Sequence, residues 1–151
     1  SIAICGSMSF LSEMEDIAHS LETLGCSAST PVREERDFNW TKMPIHEATV
    51  LKKSFVDGYL STILRSDAIL IANFTKHEIE GYVGPNTLME AAFGYALGKP
   101  VVFLYDPSAQ ACGLECVSIA HGFLNGNVNN LTAMISGRTA DIVDREPSRK
   151  S

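Results

Sequence analysis

The stretch Asp67-Ala68-Ile69-Leu70-Ile71-Ala72-Asn73 decides the fold. Five apolar residues stand between two polar ends, too few for a helix with a buried face and with no polar partner in between. A strand whose two faces are both covered reads this way, and such strands belong to parallel sheets. Downstream, Val101-Val102-Phe103-Leu104-Tyr105 has the same character and is ended by Asp106-Pro107. Upstream, Ile2-Ala3-Ile4-Cys5 is closed by Gly6-Ser7, and residues 26–30 form a further short strand ended by Pro31.

Helical patterns fill the intervals. Leu11, Met14, Ile17, Ala18, Leu21 and Leu24 recur at steps of three and four, with Gly25 as the stop. Ala48, Leu51, Phe55, Tyr59 and Ile63 form a second stripe within residues 45–65, and a third helix fits Thr87 to Leu97, stopped by Gly98-Lys99-Pro100. Residues 109–121 and 128–136 fit two shorter helices. The alternation predicts an α/β class: one Rossmann-like, doubly wound domain of about five mostly parallel strands with helices on both faces. Residues 1–136 form this domain, and the polar segment 137–151 is expected to be a flexible tail.

The 151 residues suit one domain with a real core. The net charge is −6 and the apolar fraction 45%. Lysines and arginines are sparse and scattered, which argues against a nucleic-acid polymer as partner. The apolar start is short, lacks basic residues, and reads as a strand rather than a signal peptide. No apolar run is long enough to span a membrane. Cys5, Cys26, Cys112 and Cys116 include no metal-binding pattern and are expected to be reduced thiols in a cytoplasmic protein, with no metal and no cofactor.

Doubly wound sheets bind ligands at the carboxyl ends of their strands, so three segments are candidates: Gly6–Phe10, Asn73–Asn86 and Tyr105–Gln110. In the first, Gly6, Ser7 and Met8 offer a tight turn and a hydroxyl beside a helix start. In the second, Asn73 ends the central strand and suits a ligand hydroxyl or base edge. Gly81, Tyr82, Gly84, Asn86 and Thr87 shape the loop that enters the third helix. Neither a dinucleotide fingerprint nor a phosphate-binding P-loop is present.

Glu90 lies at the start of that helix, where the dipole favours an ionised carboxylate able to attack an anomeric carbon. Thr87-x-x-Glu90 equally matches a capping box, in which Glu90 satisfies the Thr87 amide. Asp67 begins its strand at the end opposite to the expected site, where a turn residue is ordinary. Residues 31–44, with the single tryptophan Trp40, form either a lid or a surface loop.

Ile4-Cys5-Gly6-Ser7-Met8, Ser66-Asp67-Ala68-Ile69-Leu70 and Gly81-Tyr-Val-Gly-Pro-Asn-Thr-Leu-Met-Glu90-Ala-Ala-Phe-Gly-Tyr-Ala-Leu-Gly-Lys-Pro100 resemble the nucleoside 2-deoxyribosyltransferase-like superfamily, which includes the 2′-deoxynucleoside 5′-monophosphate N-glycosidases. The similarity covers roughly residues 2–105. It implies cleavage or exchange of the N-glycosidic bond of a (deoxy)nucleoside or nucleoside monophosphate. It implies catalytic roles for Glu90 as nucleophile and Asp67 in orienting the sugar or handling a proton, and a homodimer or larger assembly. Two departures stand out. Residues 84–86 lack the extra acid of the transferases, and residues 8–10 lack the arginine of the monophosphate hydrolases. The alternative reading is a nucleotide or nucleotide-sugar sensor on the same fold.

Overall fold

The computed structural model describes residues 1–33 and 39–137. Most of the predicted tail, and the middle of the 31–44 loop, lie outside the described residues.

Five parallel strands form one sheet: β1 (Ile2–Cys5), β2 (Ala28–Ser29), β3 (Ala68–Ile71), β4 (Val101–Phe103) and β5 (Gly122–Phe123), in the order β2-β1-β3-β4-β5. The register pairs Ile2 with Ala68 and Cys5 with Ile71, so β1 and β3 run level along their whole length. Between them lies the reversal of winding direction that opens a crevice at the carboxyl ends. The predicted α/β, doubly wound architecture is therefore the observed one.

Alternation along the strands divides the core in two. Ile2, Ile4, Leu70, Val102 and Leu104 face α1 (Leu11–Thr23), whose Met14 and Leu21 are fully buried, together with Leu131 of the helical residues 131–137. Ala3, Cys5, Ile69, Ile71, Val101 and Phe103 face the other side. There they meet Ile63 of α2 (Ile45–Arg65), Ala91 of α3 (Pro85–Ala96) and Cys116 of α4 (Gly113–Ile119). The helix α3 lies close to the sheet because residue 94 has no side chain: a Cβ there would stand 2.6 Å from Ile69 Cγ1.

Two boundaries differ from the sequence expectation. The predicted helix over 109–121 begins only at Gly113 and gives way to strand β5 at Gly122. The third helix begins at Pro85, not Thr87, with Gly84 as its N-cap. Proline at the first helical position has its φ already set and no amide to leave unpaired, which overrides the cap signal two residues later. No helix among the described residues is long and apolar enough to cross a membrane.

Candidate functional site

The carboxyl ends of β1 and β3 form the floor. Gly6 follows β1 directly, and a Cβ on it would meet the Ala72 carbonyl at 2.9 Å and Met14 Sδ at 3.1 Å. The absent side chain thus lets the turn pack against the end of β3. Ser7 then caps a short 3-10 turn over Met8–Phe10, its hydroxyl 2.9 Å from that of Ser9. Met8 is about half exposed.

Lys76 reaches this turn from the other side. Its Nζ donates a 2.8 Å hydrogen bond to Ser7 Oγ and lies 5.5 Å from the centre of the Tyr82 ring. A tight hairpin projects it: the amides and carbonyls of Lys76 and Ile79 pair mutually, and His77 and Glu78 both adopt positive φ. That conformation fits a two-residue hairpin turn and is costly for residues other than glycine or asparagine. His77 packs edge-on against Tyr82 at 5.5 Å. The result is a cation, a hydroxyl pair and an aromatic wall on one rim of the crevice.

Asn73 is fully buried. Its amide nitrogen donates to the carbonyls of Gly81 (3.2 Å) and Tyr105 (2.8 Å), and its oxygen accepts from the Tyr105 amide at 3.0 Å. The side chain expected to hold a ligand therefore braces the ends of β3 and β4 against the loop. Gly81, at φ +65°, is part of the same brace, since a Cβ would fall 2.4 Å from the Asp106 carbonyl oxygen. Gln110 completes it, donating to Gly81 O at 2.6 Å and accepting from the Val83 amide at 2.8 Å. Sequence reasoning placed Gln110 at the end of a candidate segment without seeing this role, which only the folded loop reveals.

The opposite wall is α3 facing α2. Glu90 is the sixth residue of α3, two positions deeper than expected, and no acidic residue occupies the first turn. The capping box is not formed. Thr87, at the third helical position, is buried, while Asn86 is exposed. The environment of Glu90 also reverses the sequence expectation. Burial pushes its carboxyl from the ordinary 4.5 up to about 7, and the Lys52 ammonium on α2 pulls it partly back. The helix dipole acts within the first turn and does not hold this carboxylate ionised. Glu90 lies within electrostatic reach of the buried Cys5 thiol and the Tyr59 hydroxyl, both raised chiefly by burial. Tyr59 donates to the Ile4 carbonyl and stands 3.2 Å from the Ser29 carbonyl, which ties α2 to the ends of β1 and β2. Lys52 in turn lies 4.8 Å over the Trp40 ring, which packs edge-on against Phe55. Trp40 is thus joined to the Glu90 wall through Lys52.

Asp67 is not brought to this site. It precedes β3 at its amino end, next to Ser1, with its side chain 84% exposed. Glu90 acts on Cys5 at the other end of the sheet, four strand residues or roughly 13 Å away. A separate groove of about 670 Å³, lined by Val117, His121, Phe123, Asn130 and Met134, opens beside β5 and contains none of the crevice residues. No group of three His, Cys, Asp or Glu among the described residues is placed to hold a metal ion. Compared with known proteins, the sequence matches no family model and no curated protein.

Proposed function

We propose that this protein cleaves or exchanges the N-glycosidic bond of a nucleoside or nucleoside monophosphate, with Glu90 as nucleophile, as the resemblance to the nucleoside 2-deoxyribosyltransferase-like superfamily implies. The observation that carries the reading is the Glu90 carboxyl itself, largely buried at the carboxyl end of β1 and raised to about 7. A carboxylate stripped of water is more basic and more nucleophilic than an exposed one, and strongly displaced carboxyls concentrate at reacting sites. Lys52 favours the ionised form that attack requires.

In this mechanism Glu90 attacks the anomeric carbon as the base departs, giving a glycosyl ester. Water, or a second base, then releases the sugar and restores the carboxylate. Ser7 and Lys76 suit the sugar's 5′ end, where an ammonium and a hydroxyl hold a phosphate through charge-assisted hydrogen bonds. Lys76 would thereby supply the positive charge that Met8-Ser9-Phe10 lacks.

The test is a chromatographic assay for free base, run with ribo- and deoxyribonucleosides and their monophosphates on the wild type and Glu90→Ala. Base released by the wild type alone is the expected result. Equal release by both removes Glu90 from the chemistry.

The position of Asp67 favours a second reading. With that carboxylate far from Glu90, the same crevice suits a nucleotide sensor, in which protonated Glu90 donates a hydrogen bond to the ligand. A ligand-induced rise in melting temperature with no base released from any substrate selects this reading.

A further inference from the structure

We propose that Cys112 and Cys116 are an oxidisable pair, closed by hydrogen peroxide into an intramolecular disulfide that loosens the loop leading to α3. Their sulfurs lie 3.8 Å apart. Cys112 is the N-cap of α4 and Cys116 sits one turn on, its amide donating to the Cys112 carbonyl at 3.0 Å. Cys112 is partly exposed, whereas Cys116 has no accessible surface.

That asymmetry orders the chemistry. Peroxide reaches the Cys112 sulfur, transfers one oxygen to give the sulfenic acid, and leaves as water. The Cys116 sulfur then attacks the Cys112 sulfur. The sulfenic hydroxyl departs as a second water with the Cys116 proton, and the S–S bond forms. Two thiols lose two electrons, and one peroxide is reduced to two waters.

The bond cannot form without backbone movement. Residues four apart on a helix hold their Cβ atoms about 5–6 Å from each other, against roughly 3.5–4.5 Å in a disulfide. Cys116 is fixed in the core on the inner face of α4, while Cys112, the partly exposed N-cap, is joined to the helix through its carbonyl. The contraction therefore falls on Cys112. That residue also meets the Val83 carbonyl, 3.8 Å from its sulfur, and two positions earlier Gln110 holds Gly81 and Val83. Drawing Cys112 toward α4 pulls the 110–112 segment from the loop that it anchors. Strain of this kind also makes a disulfide readily reduced, so the change is reversible by thiols.

The test uses the full chain, in a Cys26→Ser background to remove the other partly exposed thiol. After treatment with hydrogen peroxide the protein is unfolded in the presence of excess alkylating agent and then cleaved at Glu115, which separates the two cysteines. The expected product is a pair of peptides joined through Cys112 and Cys116, lost on treatment with dithiothreitol. In Cys116→Ser, Cys112 is expected to accumulate as a sulfenic acid trapped by dimedone. Full alkylation of both thiols after peroxide overturns the proposal. So does a disulfide that leaves amide hydrogen exchange at residues 81–84 unchanged. Neither readout requires activity, so both stand apart from the glycosidase reading. An effect of the disulfide on base release rests on that reading.

Discussion

Lys76 donates a hydrogen bond to Ser7 across 69 positions of sequence, joining a hairpin tip to the turn after β1. Both groups face the crevice rim and either could pass from its partner to a ligand. On the proposed glycosidase function, Lys76→Met should cut kcat/KM for nucleoside monophosphates roughly tenfold to a hundredfold, as expected for a lost hydrogen bond to a charged group. Free nucleosides should be little affected. Steady-state kinetics on matched substrates decide it: an equal loss on both classes makes Lys76 a brace for the turn only.

Glu90 should make stability depend on pH in an unusual direction. Its folded pKa, about 7, lies above the ordinary 4.5, so the folded state holds the proton more tightly. The stabilisation is complete below about 4.5 and is lost as pH rises through 7. By pH 8 the loss amounts to at most about 3 kcal/mol. Glu90→Gln should be more stable than the wild type in urea at pH 8, with the gap narrowing at pH 5. A gap that does not change with pH would contradict a buried, titrating carboxyl.

Lys52→Ala should move the Glu90 titration further toward alkaline pH, because the ammonium is the group that opposes burial. Carbon-13 NMR of the labelled carboxyl reads the midpoint directly. If Glu90 attacks as the carboxylate, the rising limb of the pH–rate profile should shift the same way. An unmoved midpoint would show that Lys52 is too well solvated to matter.

Lys99 has a structural role although it lies within the Gly81–Pro100 stretch that carries the resemblance. Its ammonium donates to the carbonyls of Ile63 (2.7 Å), Leu64 (2.6 Å) and Ser66, closing the carboxyl end of α2. Carbonyls at a helix end lack the usual amide partner four residues on (that of Ile63 accepts the Ser66 amide at 3.0 Å instead), and a cation there also meets the negative end of the dipole. Lys99→Met should lower the stability by about 1–2 kcal/mol in chemical unfolding while leaving ligand binding by folded protein intact. Unchanged stability would mean that water replaces the ammonium without cost.

The layered fold was legible because its central strands are apolar on both faces and separated by helical stripes. Ile69–Ile71 and Val101–Phe103 need no tertiary information to be read as buried strands. Strand β5 was not legible: Gly122 and Phe123 are extended because β4 offers a free edge, and two residues carry no period. The surroundings of the candidate residues were legible only in part for a related reason. The loop after β3 and Glu90 could be singled out locally. The ionisation of Glu90 depends on α2 packing over it, and the work of Asn73 depends on a strand 32 residues away. Placing the helix start at Thr87 gave too much weight to a cap motif and too little to Pro85.

Both outer strands of the sheet, β2 and β5, are two residues long. An extended segment from a neighbouring molecule would find little backbone to pair with on either side, since a lasting ladder needs several consecutive hydrogen bonds. The sheet is therefore poorly suited to templating fibres, and any self-association of the folded chain would have to use surfaces other than its strand edges.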